Sequence, residues 1–130
     1  MSDPGVIRNR ERVQQIRSFA GMRFGAISPT DIDGFFEIRD HVFVFIETKY
    51  GDSPLTTGQR KAFERLTDAI EPPRWALFVV ARHDQQLPHD IDVASCAVTR
   101  YRWKAQWRTP GREVTVRELV ERFIKKAGEA

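Results

Sequence analysis

Cysteine is nearly absent from this 130-residue chain: Cys96 stands alone, so no disulfide can form within it. A reducing compartment suits such a chain. No apolar run approaches the roughly 18 residues that a membrane-spanning helix needs. The opening MSDPGVIRNR has no apolar signal-peptide core, so a cytoplasmic protein without membrane attachment is expected. Internal repeats and low-complexity stretches are missing too. What is present is ordinary globular composition, 41% hydrophobic and 30% charged residues. We expect one domain over residues 1–130, large enough to bury about two-thirds of its unfolded surface. The formal net charge of +3 is mildly basic and suits a polyanion without requiring one.

Periodicity predicts an αβββαβ-type order, hence an α/β fold with a central mixed sheet flanked by helices. Residues 8–20 place Val13, Ile16 and Ala20 on one helical stripe, with Glu11 nearly opposite. Met22 to Ser28 is a candidate short strand. Two strands follow, 34–39 and 42–49, joined by a tight turn at Asp40-His41. The second is almost wholly apolar up to Glu47, as in a strand covered on both faces. Thr56 and Gln59 have capping-box spacing, and the helix they open buries Phe63, Leu66 and Ile70 before Pro72-Pro73. Trp75 to Ala81 is a further buried strand. Thr115 and Glu118 open an amphipathic last helix that buries Val116, Leu119, Val120 and Phe123.

The chemistry concentrates between Pro29 and Lys49, in PTDIDGFFEIRDHVFVFIETK. Asp33 and Glu47 can hold a hard divalent cation, because Mg²⁺ takes oxygen ligands and usually only one or two protein carboxylates. Lys49 leaves the strand on the same face as Glu47, two residues away. An ammonium there can orient an attacking water and help it shed its proton. A plain Glu47–Lys49 ion pair at the strand end is the competing account. A buried glutamate must be paired or bound to a metal, and Asp33 one strand away favours the metal. Asp31 and Asp33 also suit a turn beside Pro and Gly; Asp31 is a candidate outer ligand.

Asp33, the Glu47-Thr48-Lys49 tripeptide and the apolar strand between them resemble the PD-(D/E)xK nuclease superfamily. In that family an acidic residue and an ExK motif sit on neighbouring strands of a small restriction-endonuclease-like α/β core. YGDSPLTTGQRKAFERL is similar to the segment after ExK in the VRR-NUC and Holliday-junction-resolvase-like branches. The resemblance covers about a third of the chain, residues 29 to 70. It implies Asp33, Glu47 and the Thr48 backbone carbonyl as metal ligands, Lys49 on the attacking water, and Gln59 as a catalytic-site residue. Gln59 also fits simple helix capping, and the two roles are compatible. Family members often carry a metal-proximal glutamate on the first helix; Glu11 is the candidate, although a solvated surface residue is the better reading.

From Arg100 to Arg108 the even positions include Arg100, Arg102, Lys104 and Arg108, and the odd ones Tyr101, Trp103 and Trp107. Read as one strand, this is a basic stripe backed by buried aromatics, suited to a phosphate backbone. A solvated sheet face is the competing account. His83 and His89 lie near Asp84, Asp90 and Asp92, but the spacing matches no familiar zinc set, and a solvated loop is the better reading. His41 reads likewise, and Cys96 reads as a small core residue. The function expected is a Mg²⁺-dependent (Mn²⁺ substituting) DNA endonuclease, resolvase-like, in recombination or repair. A homodimer follows from the resemblance alone. The nearer rival is a nuclease of the same fold in another role, such as nicking, restriction or packaging-related processing; the more distant is a non-catalytic nucleic-acid-binding or scaffold protein. Retention of Asp33, Glu47 and Lys49 together speaks against it.

Overall fold

A computed structural model describes Ser18, residues 20–86 and residues 89–129. The helix expected over residues 8–20, with Glu11, lies largely outside the described residues. Packing divides the chain into two units, Met1–Thr30 and Asp31–Ala130. In the first, Ala20–Met22 form a single 3-10 turn. Phe24 and Ile27 exchange backbone hydrogen bonds of 2.8 and 3.0 Å around Gly25, whose φ is +64. The strand expected from Met22 to Ser28 is therefore one tight turn.

The second unit is a small α/β domain: a mixed five-stranded sheet flanked by two helices. In chain order these are β1 (Gly34–Ile38), β2 (Val42–Tyr50), α1 (Thr57–Ile70), β3 (Trp75–His83), β4 (Ala97–Trp103), β5 (Gln106–Arg108) and α2 (Val116–Gly128). Strand order follows chain order, β1-β2-β3-β4-β5. Only β2 and β3 run parallel, because α1 carries the chain back between them; the other pairs are antiparallel. Both helices start on the expected capping boxes, Thr56 with Gln59 and Thr115 with Glu118. Among the described residues no helix is long and apolar enough to cross a membrane.

Alternation along β2 and β3 builds two cores from the same strands. Val42, Val44 and Ile46, with Leu77, Val79 and Ala81, face α2 and pack on Val116, Val120, Phe123 and Ala127. Phe45, Phe78 and Val80 face the other way and pack on Phe63 of α1. A residue of β2 is thus committed to a helix by its parity. Glu47 and Lys49 share parity with Phe45, so both stand on the α1 face.

Two turns depart from expectation. The β1–β2 turn is centred on Arg39 and Asp40, at φ 49 and 59, rather than on Asp40-His41. The segment from Arg100 to Arg108 is a hairpin, not one strand. Lys104 and Ala105, at φ 51 and 59, form a two-residue loop, and Trp103 pairs with Gln106.

Candidate active site

β1 stops pairing with β2 at Gly34, opposite Ile46. Beyond that point Glu47 and Thr48 have no β1 backbone to face, and Asp33 fills the place. Its Oδ2 accepts the Thr48 backbone N–H at 2.8 Å and the Thr48 hydroxyl at 3.0 Å. Its own backbone N–H donates to Glu47 Oε1 at 3.3 Å. In a strand the N–H and C=O of one residue leave along the same edge. The Thr48 carbonyl oxygen therefore also leaves toward Asp33.

The first turn of α1 closes the other side. Gln59 Oε1 accepts the Thr56 backbone N–H at 3.1 Å, which completes the capping box, and the Lys49 Nζ at 2.9 Å. Gln59 Nε2 donates to Glu47 Oε2 at 3.4 Å, and Lys49 Nζ lies 3.7 Å from the same oxygen. Capping and site support are thus one hydrogen-bond network. Asp33, Glu47, Thr48, Lys49 and Gln59, five positions over 27 residues of chain, come together at the end of β2.

Glu47 is only 4% exposed, whereas Asp31 and Asp33 lie at the surface. Burial pushes its carboxyl from the usual 4.5 up to about 7. The Asp33 charge pushes the same way, Lys49 and the Asp33 backbone N–H oppose, and Asp31 adds a smaller upward push. A buried acid beside a second acid, with one lysine to offset both, is short of positive charge. All the donors are hard oxygens: two carboxylates and a strand carbonyl. That set fits Mg²⁺ or Mn²⁺ and fits soft metals poorly. Among the described residues no group of three or more His, Cys, Asp and Glu is arranged to hold a metal. The candidate site thus rests on two carboxylates and one carbonyl.

The four basic residues do not form one stripe. β4 carries an extra residue, Thr99, where the pairing with β3 shifts between Val80 and Ala81, and its hydroxyl donates to the Val80 carbonyl at 3.0 Å. This bulge reverses the parity of β4. Val98 packs on the α2 side, but Arg100 and Arg102 point to the α1 face. Arg102 is 9% exposed and bound to Asp68 at 3.0 and 2.6 Å, so its guanidinium is committed to α1. The hairpin turn then places Trp107, not another cation, opposite Arg102. Lys104 and Arg108 lie over the Trp103 ring, 4.7 and 5.2 Å from its centroid, with the α2 core. Lys104 also sits toward the end of the sheet where β3 begins, whereas Arg108, paired with Tyr101, is one residue short of the level of Glu47 but three strands across and on the opposite face. Only Arg100 stands level with the candidate site, paired with Val80, which pairs with Glu47.

The residue that sequence reasoning missed is Arg82. It pairs with Lys49 across the parallel β2–β3 ladder and leaves on the same face. The signal is its parity with Phe78 and Val80, and the strand expected from Trp75 to Ala81 in fact runs two residues further, to His83. Lys49, Arg82 and Arg100 line a cleft of about 340 Å³ together with Ser53, Leu55 and Val80. A larger cleft of about 500 Å³ holds His83, Asp84, Asp90 and Cys96. Burial pushes the Cys96 thiol up, and Asp92 adds to it, which leaves it a poor nucleophile or metal ligand.

No family model, no curated protein and no solved structure matches this chain.

Proposed function

We propose that the chain is a divalent-metal-dependent DNA endonuclease of the PD-(D/E)xK kind, on a restriction-endonuclease-like αβββαβ core. The observation that carries this reading is the hydrogen-bonded set of Asp33, Glu47, Lys49 and Gln59. It joins two acids and an ammonium at the C-terminal end of β2. A surface ion pair would need neither Asp33 nor the buried position of Glu47.

Asp33 Oδ1, Glu47 and the Thr48 carbonyl would hold the cation, while Thr48 fixes Asp33 through its Oδ2. When bound, a divalent cation polarises the scissile phosphate and lowers the pKa of a water beside it. Ionised Glu47 is the form that binds, so proton release accompanies loading below about pH 7. Lys49, steered by Gln59 Oε1, presents its ammonium beside Glu47 and orients the attacking water. Gln59 keeps Lys49 and Glu47 apart enough that their ion pair stays long, at 3.7 Å.

The small single-sheet architecture, with no added specificity domain among the described residues, suits a structure-selective enzyme of recombination or repair, resolvase-like and cytoplasmic. A four-way junction needs two symmetric cuts, so a homodimer belongs to this proposal. The test is cleavage of linear duplex, single-stranded, flapped and four-way-junction DNA with Mg²⁺ or Mn²⁺. Calcium should support binding without turnover. Full cleavage in EDTA would remove the metal from the mechanism.

A further inference from the structure

We propose that Lys49, Arg82 and Arg100 form a seat for the backbone phosphate next to the one that is cut, on the β4 side of the site. The proposal rests on the nuclease reading for which phosphate it names, though not for the seat itself.

The register fixes the layout. Asp33 precedes β1, Glu47 and Lys49 are on β2, Arg82 is level with Lys49 on β3, and Arg100 is level with Glu47 on β4. Strands lie about 4.8 Å apart, so Arg100 stands roughly 10 Å across the sheet from Glu47. The acids therefore lie on the β1 side and the arginines on the β3–β4 side, with Lys49 between them. A phosphate chain entering over the carboxylates passes next into the cleft of about 340 Å³ that the three cations frame. Its floor is Val80 and Ala81, and the loop from Gly51 to Leu55 is its wall.

Two features show that this cleft is built rather than incidental. The Thr99 bulge turns Arg100 out of the α2 core side, where Val98 lies, and into the cleft; bulges commonly re-aim a side chain beside a site. Arg100 then lies 4.5 Å from the centroid of Trp107, which holds the guanidinium by its face and leaves its N–H edge for a ligand. Arg100 makes no ion pair among the described residues. Among the described residues Arg82 has only Asp52, at 3.7 Å and on a carboxylate that is 98% exposed, a pairing that water screens and a phosphate can displace. By contrast Arg102, two residues on, is closed off by Asp68 and Glu64. The same strand thus carries one guanidinium locked into the fold and one left open beside Lys49.

The test uses the full chain, with calcium in place of magnesium so that binding is read without turnover. The probe is a labelled DNA carrying one neutral methylphosphonate linkage, moved along the strand. Wild-type protein should lose about tenfold in affinity when the linkage occupies the seat, since each charge-assisted hydrogen bond contributes on that order. Arg82→Ala/Arg100→Ala should bind unmodified DNA about tenfold or more weakly, with a salt slope lower by about one, and should ignore the neutral linkage at that position. Arg82→Ala alone and Arg100→Lys serve should the double variant fail to fold. Unchanged affinity and salt slope in the folded variants would overturn the seat, whether or not the wild type cuts. A wild type that never cuts, with binding lost in the double variant, would retire the nuclease reading and support the seat as a backbone-binding cleft.

Discussion

The two faces of the sheet are made by the same strands and do opposite work. On the α2 face, Val42, Val44, Ile46, Leu77, Val79 and Ala81 of β2 and β3 are sealed by Val116, Val120 and Phe123, with Trp75 packed against them. On the α1 face, Phe45, Phe63, Phe78 and Val80 form a smaller core with polar groups at both ends. At one end Glu47, Lys49 and Gln59 interlock; at the other Arg102 joins Asp68 and Glu64. Stability is carried mainly by the α2 face, and the α1 face spends part of its burial on charge. A buried acid pushed up to about 7 costs stability, and acids perturbed in this way cluster at functional sites.

The largest expected effect belongs to the α1 face. Asp33→Ala or Glu47→Ala should lower metal-dependent cleavage at least about a thousandfold, roughly 4 kcal/mol of barrier, because each removes one of few charged ligands. Thermal melts should show no loss of fold. Wild-type rates in either variant would dissolve the contrast between the faces.

On the α2 face, Phe123→Ala should cost about 3–5 kcal/mol in urea unfolding, since the ring is 6% exposed and packs edge-on against Trp75 and Trp103. The remaining folded fraction should keep its catalytic behaviour. A loss below about 1 kcal/mol would mean that stability is not concentrated there.

Glu47→Gln should do the reverse. The folded-state pKa of Glu47 is raised, so between about 4.5 and 7 the native state holds a proton that the unfolded chain has released. Stability of the metal-free protein then falls as pH rises through that window, by up to about 3 kcal/mol at 1.36 kcal/mol per unit. The glutamine variant should flatten that slope and be the more stable protein at pH 8, with little difference at pH 4. Mg²⁺ should stabilise the wild type and not the variant, and more strongly at pH 8 than at pH 5. Parallel pH–stability curves for the two proteins would refute the burial argument.

Smaller still is Lys49→Ala, expected to slow turnover about tenfold to a hundredfold and to weaken DNA binding by about tenfold at most, through loss of its share of the phosphate seat. Lys49→Arg should not restore the rate fully, because a planar fork cannot replace a compact ammonium beside Gln59. Removing Lys49 also removes a downward pull on Glu47, so the acidic limb of the pH–rate profile should move up. Smallest is Lys104→Ala/Arg108→Ala: these cations sit with Trp103 and the α2 core, and DNA affinity should change less than about threefold.

Much of this arrangement was legible in the residues because it is local. Period-2 apolar alternation and continuous apolar runs marked β2 and β3, capping boxes marked both helix starts, and the two-residue step from Glu47 to Lys49 placed them on one face. Short-range geometry decides such features, so the chain states them directly. The Asp33–Glu47 encounter was also readable, because one hairpin brings them together.

What required the tertiary structure was parity across long connections. Lys104 and Ala105 take positive φ without the Asn or Gly that usually announces such a turn, so nothing local marked the β4–β5 hairpin. The Thr99 bulge has no sequence signature either; it exists because β4 must pair with β3 while Val98 and Tyr101 both reach the α2 core. Arg102 looks identical to Arg100 until α1 brings Asp68 against it, 34 residues away. The sequence by itself determined which residues lie on which face of β2, and therefore that an acid and a lysine stand together. Only packing decided which arginines are left open to meet them, because a cation's availability depends on the carboxylates that other elements bring to it.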